Sequence, residues 1–166
     1  MSLSPFSEDE KLQIQKKRES NDRLEGFLTQ KREEWKNNLK PLYDELVPNF
    51  NRTNSEKIIE IQSFALSYRQ IISEQIAFFL NRRSKEEVTL KELKNQKFIY
   101  YAIGFAVKTN SQEKAQLVEA HLAENERALQ LLETHVDFLR STSKNLEAVS
   151  FTVKNVNDLM NYLQHT

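Results

Sequence analysis

With 166 residues the chain is long enough for one domain with a modest core and too short for two ordinary ones. Lys and Arg number 24 and Asp and Glu number 24, so the positive excess of a typical polyanion-binding protein is absent and any nucleic-acid contact must use local charge. Two glycines, three prolines and no cysteine disfavour phosphate-cradling glycine loops and exclude disulfides, thiolate nucleophiles and cysteine-ligated zinc. No classical signal segment and no run near ~18 consecutive apolar residues is present, which predicts a cytoplasmic chain that neither spans a membrane nor enters the secretory route.

In chain order, Ser7 and Glu10 form a Ser-x-x-Glu capping box that opens a first helix. Leu24, Phe27, Leu28, Trp35 and Leu39 give it a thin apolar stripe, in a 1–40 segment with nine basic and eight acidic residues. Gly26 weakens it by about 1 kcal/mol relative to alanine, so the best order is expected after Leu24. Pro41 stands near its end, and the breaker-rich stretch from Pro48 to Asn54 sets the first boundary. The chain therefore divides into a charged helical arm, 1–47, partly mobile or docked at the periphery, and a helical bundle domain, 55–166.

From Ile58 the positions Ile58, Ile61, Ala65, Tyr68, Ile72, Gln75 and Phe79 alternate by three and four, a heptad seam with one polar interruption. Ile59, Phe64, Leu66, Ile71, Ile76 and Phe78 flank it, which predicts a helix in contact with two or more neighbours. Asn81–Glu87 breaks the apolar pattern, and Thr89 with Glu92 forms a second capping box that would open a third helix. The run from Phe98 to Val107 also fits a buried strand, but no strand partner is evident elsewhere, so helix is the reading adopted. After Thr109, Asn110 and Ser111 a second seam runs through Val118, His121, Asn125, Ala128, Leu132, His135, Leu139, Thr142, Leu146, Val149, Val153, Val156, Met160 and Leu163. A helix of about 50 residues is ~75 Å long, which implies either oligomerisation or a bend; the polar segment Ser141–Asn145 is the expected break. The fold class is all-α: an elongated bundle of three or four long helices, with 55–80 and 112–163 antiparallel around the third helix and a coiled-coil-like C-terminal helix.

Chemistry-bearing constellations are few. His121 and His135 lie fourteen residues apart, ~21 Å along a straight helix, so they cannot share a metal within it and read as polar packing residues. No Glu-x-x-His di-iron pattern, P-loop, dinucleotide fingerprint or nucleophile triad occurs, so no catalytic residue, cofactor or metal is implied and the chain reads as a non-enzyme. The charge anomaly is 81–110, where Arg82, Arg83, Lys85, Lys91, Lys94, Lys97 and Lys108 face only Glu86, Glu87 and Glu92. Lys91, Lys94 and Lys97, at three-residue steps, suggest a cationic strip for a phosphate backbone, with Tyr100 and Tyr101 beside it to stack on unpaired bases. The competing reading makes the aromatics core and the lysines a solvated face. Leu132, Leu139, Leu146, Val149, Val153, Val156 and Met160 are the expected oligomerisation surface of the C-terminal seam.

Over 55–163 the chain resembles the UvsY-type recombination mediators of T-even-like phages: a helix ending in the aromatic pair Phe78 and Phe79, a variable polar segment, then a long C-terminal helix. The best match runs from Leu131 to Arg140 and on through Val156 to Leu163. The resemblance implies a noncatalytic, oligomeric single-stranded-DNA-binding protein that helps a RecA-type recombinase replace the single-strand-binding protein, in the host bacterial cytoplasm if phage-encoded. The family places a Lys-x-Arg pair before the aromatics, where this chain has Ser73 and Gln75; Arg69, Arg82 and Arg83 are the expected substitutes. The alternative is a helical coiled-coil adaptor that binds another protein.

Overall fold

A computed structural model describes residues 6–46, 55–104 and 110–164. Among these, three long helices and no strand occur: α1 (Glu8–Leu46), α2 (Ser55–Ile99), which runs into a π-helical turn at Tyr100–Gly104, and α3 (Ser111–Gln164). The all-α helical bundle is as expected, with three helices. The boundary expected at 48–54 lies outside the described residues.

The start of α1 is capped as the sequence indicates. Glu10 N donates to Ser7 Oγ (3.2 Å) while Ser7 N donates to Glu10 Oε2 (2.9 Å), so two otherwise orphaned amides are satisfied. The same device opens α3, where Glu113 N donates to Asn110 Oδ1 (2.8 Å) and Asn110 N to Glu113 Oε2 (3.1 Å). Gly26 sits in the interior of α1, and a Cβ there meets nothing within 4 Å. Gly26→Ala is therefore expected to raise stability by about 0.5–1 kcal/mol, by removing unfolded-state freedom without strain. A thermal melt of the variant that moved downward would contradict this.

Two expected breaks are absent. Asn81–Val88 is helical, and Thr89 does not cap: its hydroxyl donates to the Lys85 carbonyl (3.1 Å), one turn back within α2. The half-buried positions carry the seam on as Arg83, Glu86, Leu90, Leu93 and Lys97, after consecutive steps of four at Gln75, Phe79 and Arg83. That stutter keeps the inward face continuous while its chemistry turns polar, which a search for apolar spacing reads as an ending. Ser141–Asn145 is likewise uninterrupted helix, with the Thr142 hydroxyl donating to the Phe138 carbonyl (2.8 Å).

The chain divides into two compact units, Met1–Leu28 with Leu80–Thr134 and Thr29–Phe79 with His135–Thr166, so each draws on all three helices. The second unit has an ordinary apolar core of Trp35, Leu39, Leu42, Ile58, Ile61, Ala65, Ile72, Phe79, Leu139, Leu146, Val149 and Val153. Its polar seam residue, Gln75, is satisfied there, accepting from Trp35 Nε1 at 2.9 Å. As expected, α2 meets two neighbours, α1 through Gln75 with Trp35 and α3 through Phe79 with His135, but it does so along the seam: the flanking residues Ile59, Phe64, Leu66, Ile71 and Phe78 are exposed and Ile76 is half-buried.

Every seam position of α3 from Val118 to Val153 is buried. Leu132, Leu139, Leu146, Val149 and Val153, expected to face a second copy, are covered within the single chain, because α1 and α2 supply the helices that an a/d stripe requires. Val156 is half-buried, and the side chain of Met160 lies outside the described ones.

Candidate nucleic-acid interface

In the first unit α2 carries the basic segment. A helix turns 100° per residue, so steps of three drift backwards by about 60° each and Lys91, Lys94 and Lys97 sweep around the surface rather than form one strip. Lys91 and Lys94 are exposed; Lys91 Nζ lies 3.8 Å from Glu87, and Lys94 has no ion pair among the described residues. Lys97 turns inward, its side chain 17% exposed, and donates to Glu10 Oε1 at 2.8 Å. Burial pushes the Glu10 carboxyl up, but the Lys97 hydrogen bond, the Ser7 amide and the Lys97 charge outweigh it and leave the group below the usual carboxylate range.

The two tyrosines separate as well. Tyr100 is exposed, with Lys97 Nζ 5.8 Å from its ring centre. Tyr101 is a core residue packed with Val118 and Leu122, against Leu90, Leu93 and Leu117, so it cannot reach a base from this position. Burial, with the nearby Glu10 charge, pushes its phenol up to about 12. The exposed aromatic on the side of Lys91 and Lys94 is Phe98, seven residues on from Lys91 and two-thirds exposed.

Arg82 is exposed, whereas Arg83 is half-buried with its guanidinium 3.6 Å from Glu133. Arg69 belongs to the other compact unit, 3.6 Å from Glu147. Thus Lys91, Lys94 and Phe98 share one face, while Lys97 and Tyr101 are withdrawn from it.

Lys94 and Phe98 also line an open groove of about 440 Å³ between the end of α2 and the start of α3. Phe98, Tyr101, Ala115, Val118 and Leu122 make apolar walls, Lys94 and Lys114 supply cations, and Glu119 and Glu126 supply carboxylates. Phosphates are drawn to the two lysines and repelled by the two glutamates, so the groove is electrostatically directional. Lys114 was not evident from sequence, because it belongs to a neutral-looking helix start; only the antiparallel return of α3 beside α2 brings it to Phe98.

A second polar feature has no counterpart in the sequence reading. Glu10, Lys17, Lys97, His121, Glu124 and Asn125 line a small cavity of about 130 Å³ in the same unit. His121 Nε2 lies 3.3 Å from Glu10 Oε1, and its ring packs edge-on to Phe6 at 4.5 Å. Burial, reinforced by the Lys97 charge and only partly opposed by Glu10, lowers the His121 pKa. Among the described residues no group of three His, Asp or Glu side chains is placed to hold a metal ion, and no helix is long and apolar enough to cross a membrane. Comparison of the chain with known protein families, with characterised proteins and with solved structures finds no match.

Proposed function

We propose that the chain is a noncatalytic single-stranded-DNA-binding protein of the recombination-mediator kind, acting with a RecA-type recombinase and a single-strand-binding protein and working as a homo-oligomer. The observation that carries this reading is the groove in which exposed Lys94 and Phe98 meet half-buried Lys114, with exposed Lys91 beside it on the same face of α2. Lysines take the phosphates by counterion release, and an exposed phenyl ring gives any unpaired base a stacking surface worth roughly 1–3 kcal/mol. Repetition of such weak sites across several copies would supply avidity that a neutral chain lacks singly. The recombinase and the single-strand-binding protein follow from the UvsY-type resemblance.

The test is fluorescence anisotropy of labelled oligo-dT at ~50 and ~200 mM salt, with equal-length duplex alongside. Binding should favour the single strand, and the triple substitution Lys91→Gln, Lys94→Gln, Lys114→Gln should flatten the log–log salt slope by about 2, at ~0.7 per lost phosphate contact. An unchanged slope in a folded variant would remove this groove from the DNA path.

The adaptor reading draws on a different observation, the exposed apolar residues Phe64, Ile71 and Phe78 at seven-residue spacing on α2. It predicts no oligo-dT binding even at ~50 mM salt, and a change in the sedimentation of the chain, alone or with a helical partner, on Phe64→Ser and Phe78→Ser.

A further inference from the structure

In the first unit the N-terminal half of α1 docks through ion pairs and hydrogen bonds beside two buried leucines. Its inward positions include Glu10, Ile14, Lys17 and Asn21, with Leu24 and Leu28 as the buried apolar contribution. Lys17 pairs with Glu86 at 2.8 Å, Arg18 with Glu124 at 3.0 Å, and Asn21 donates to the Glu124 carbonyl (2.6 Å) and carboxylate (3.0 Å). In the opposite sense, Glu10 holds Lys97 at 2.8 Å, while Asp22 and Glu25 hold the Arg127 guanidinium at 2.8 and 2.6 Å. Lys97 of α2 and Arg127 of α3 are thereby occupied by carboxylates of α1, Arg127 also lying 3.6 Å from Glu124 of its own helix.

Such pairs are individually weak, are screened by salt and depend on one another for geometry. A single strand presents closely spaced phosphates and gains entropy by releasing condensed counterions, so it competes with isolated carboxylates for the same lysine and arginine. We infer that the first half of α1 is an acidic latch: Glu10, Asp22 and Glu25 occupy Lys97 and Arg127 in the unbound chain, and a single-stranded polyphosphate displaces them. The inference rests on the DNA-binding reading and adds its regulation. It holds in reserve one cation of the basic segment, Lys97, and one of α3, Arg127.

The experiment compares oligo-dT binding by the parent chain, Asp22→Asn/Glu25→Gln and Glu10→Gln. Asp22 and Glu25 have half-exposed or more exposed side chains, so their amide variant keeps the fold, which helicity by circular dichroism checks. Unlatched chains should bind several-fold tighter at ~50 mM salt, with a salt slope steeper by about 0.7 for each cation released. Amide exchange over 8–28 should also rise in the parent at saturating oligo-dT. If the parent binds and the folded Asp22→Asn/Glu25→Gln variant binds no tighter, or if 8–28 exchanges no faster with DNA bound, the latch is wrong and the DNA-binding reading stands. If none of the three chains binds oligo-dT, the DNA-binding reading fails and the latch fails with it.

Discussion

Leu139→Ala is expected to cost about 2–5 kcal/mol of unfolding free energy. Leu139 is fully buried in α3, one heptad from the equally buried Leu132 and Leu146, so its neighbours are fixed by the same seam and have little freedom to collapse into the space. The cost combines lost transfer free energy with the cavity left behind. Urea titration measures it, with Leu159→Ala as the control, because Leu159 is exposed on the same helix and should change stability by less than about 0.5 kcal/mol. The loss should also be independent of protein concentration. A leucine that served only to join copies would instead leave the single chain's unfolding intact and shift association; a loss under about 1 kcal/mol for Leu139→Ala would mean the seam is not packed within the chain.

That contrast marks what periodicity reports. The three-four spacing from Ile58 to Phe79 and from Val118 to Val153 identified the inward face position by position, because a helix's geometry alone decides which residues share a stripe. The stripe does not say whose helix covers it, and here the covering helices belong to the same chain. Helix ends were legible where a cap had no competitor, as at Ser7 and Asn110, and misread at Thr89, where the same side-chain oxygen finds a carbonyl four residues back in an unbroken helix.

Least legible was the polar half of α1. Glu10, Lys17 and Asn21 look like solvated positions, since their partners, Lys97, Glu86 and Glu124, lie on other helices far along the chain and leave no local spacing. The same separation explains Lys97, which composition assigns to a surface strip and which a carboxylate near the start of α1 removes from it. Tyr101 was hidden for a related reason: exposed Phe98, Ile99 and Tyr100 precede it in an apolar run, and only the return of α3 distinguishes the inward member from the outward ones.

His135 carries the second large effect, and its sign is the same as that of Glu10 and Glu124, whose pKa values are also lowered in the folded chain. The ring is fully buried, edge-on to Phe79 of α2 at 4.5 Å and stacked at 6.2 Å on Phe138 of its own helix, with neither nitrogen hydrogen-bonded among the described residues. Burial, with a smaller contribution from the Arg32 charge on α1, lowers its pKa from 6.5 to about 4. The folded state thus binds fewer protons than the unfolded state between these values, so the chain is most stable with respect to this group above pH 6.5 and loses stability as pH falls toward 4. At 1.36 kcal/mol per unit the loss amounts to about 3 kcal/mol over that window. His135→Leu removes the titration and two buried polar atoms while nearly keeping the volume, so it should be at least as stable as the parent at pH 7 and increasingly more stable toward pH 4. Urea midpoints of the two chains at half-unit pH steps give the difference directly, with the contributions of Glu10, Glu124 and His121 common to both and cancelling. Parallel curves from pH 6.5 to 4 would show that the imidazole finds a proton-stabilising partner in the folded chain. A gap widening toward acid would identify this single side chain as the source of acid sensitivity in the second unit.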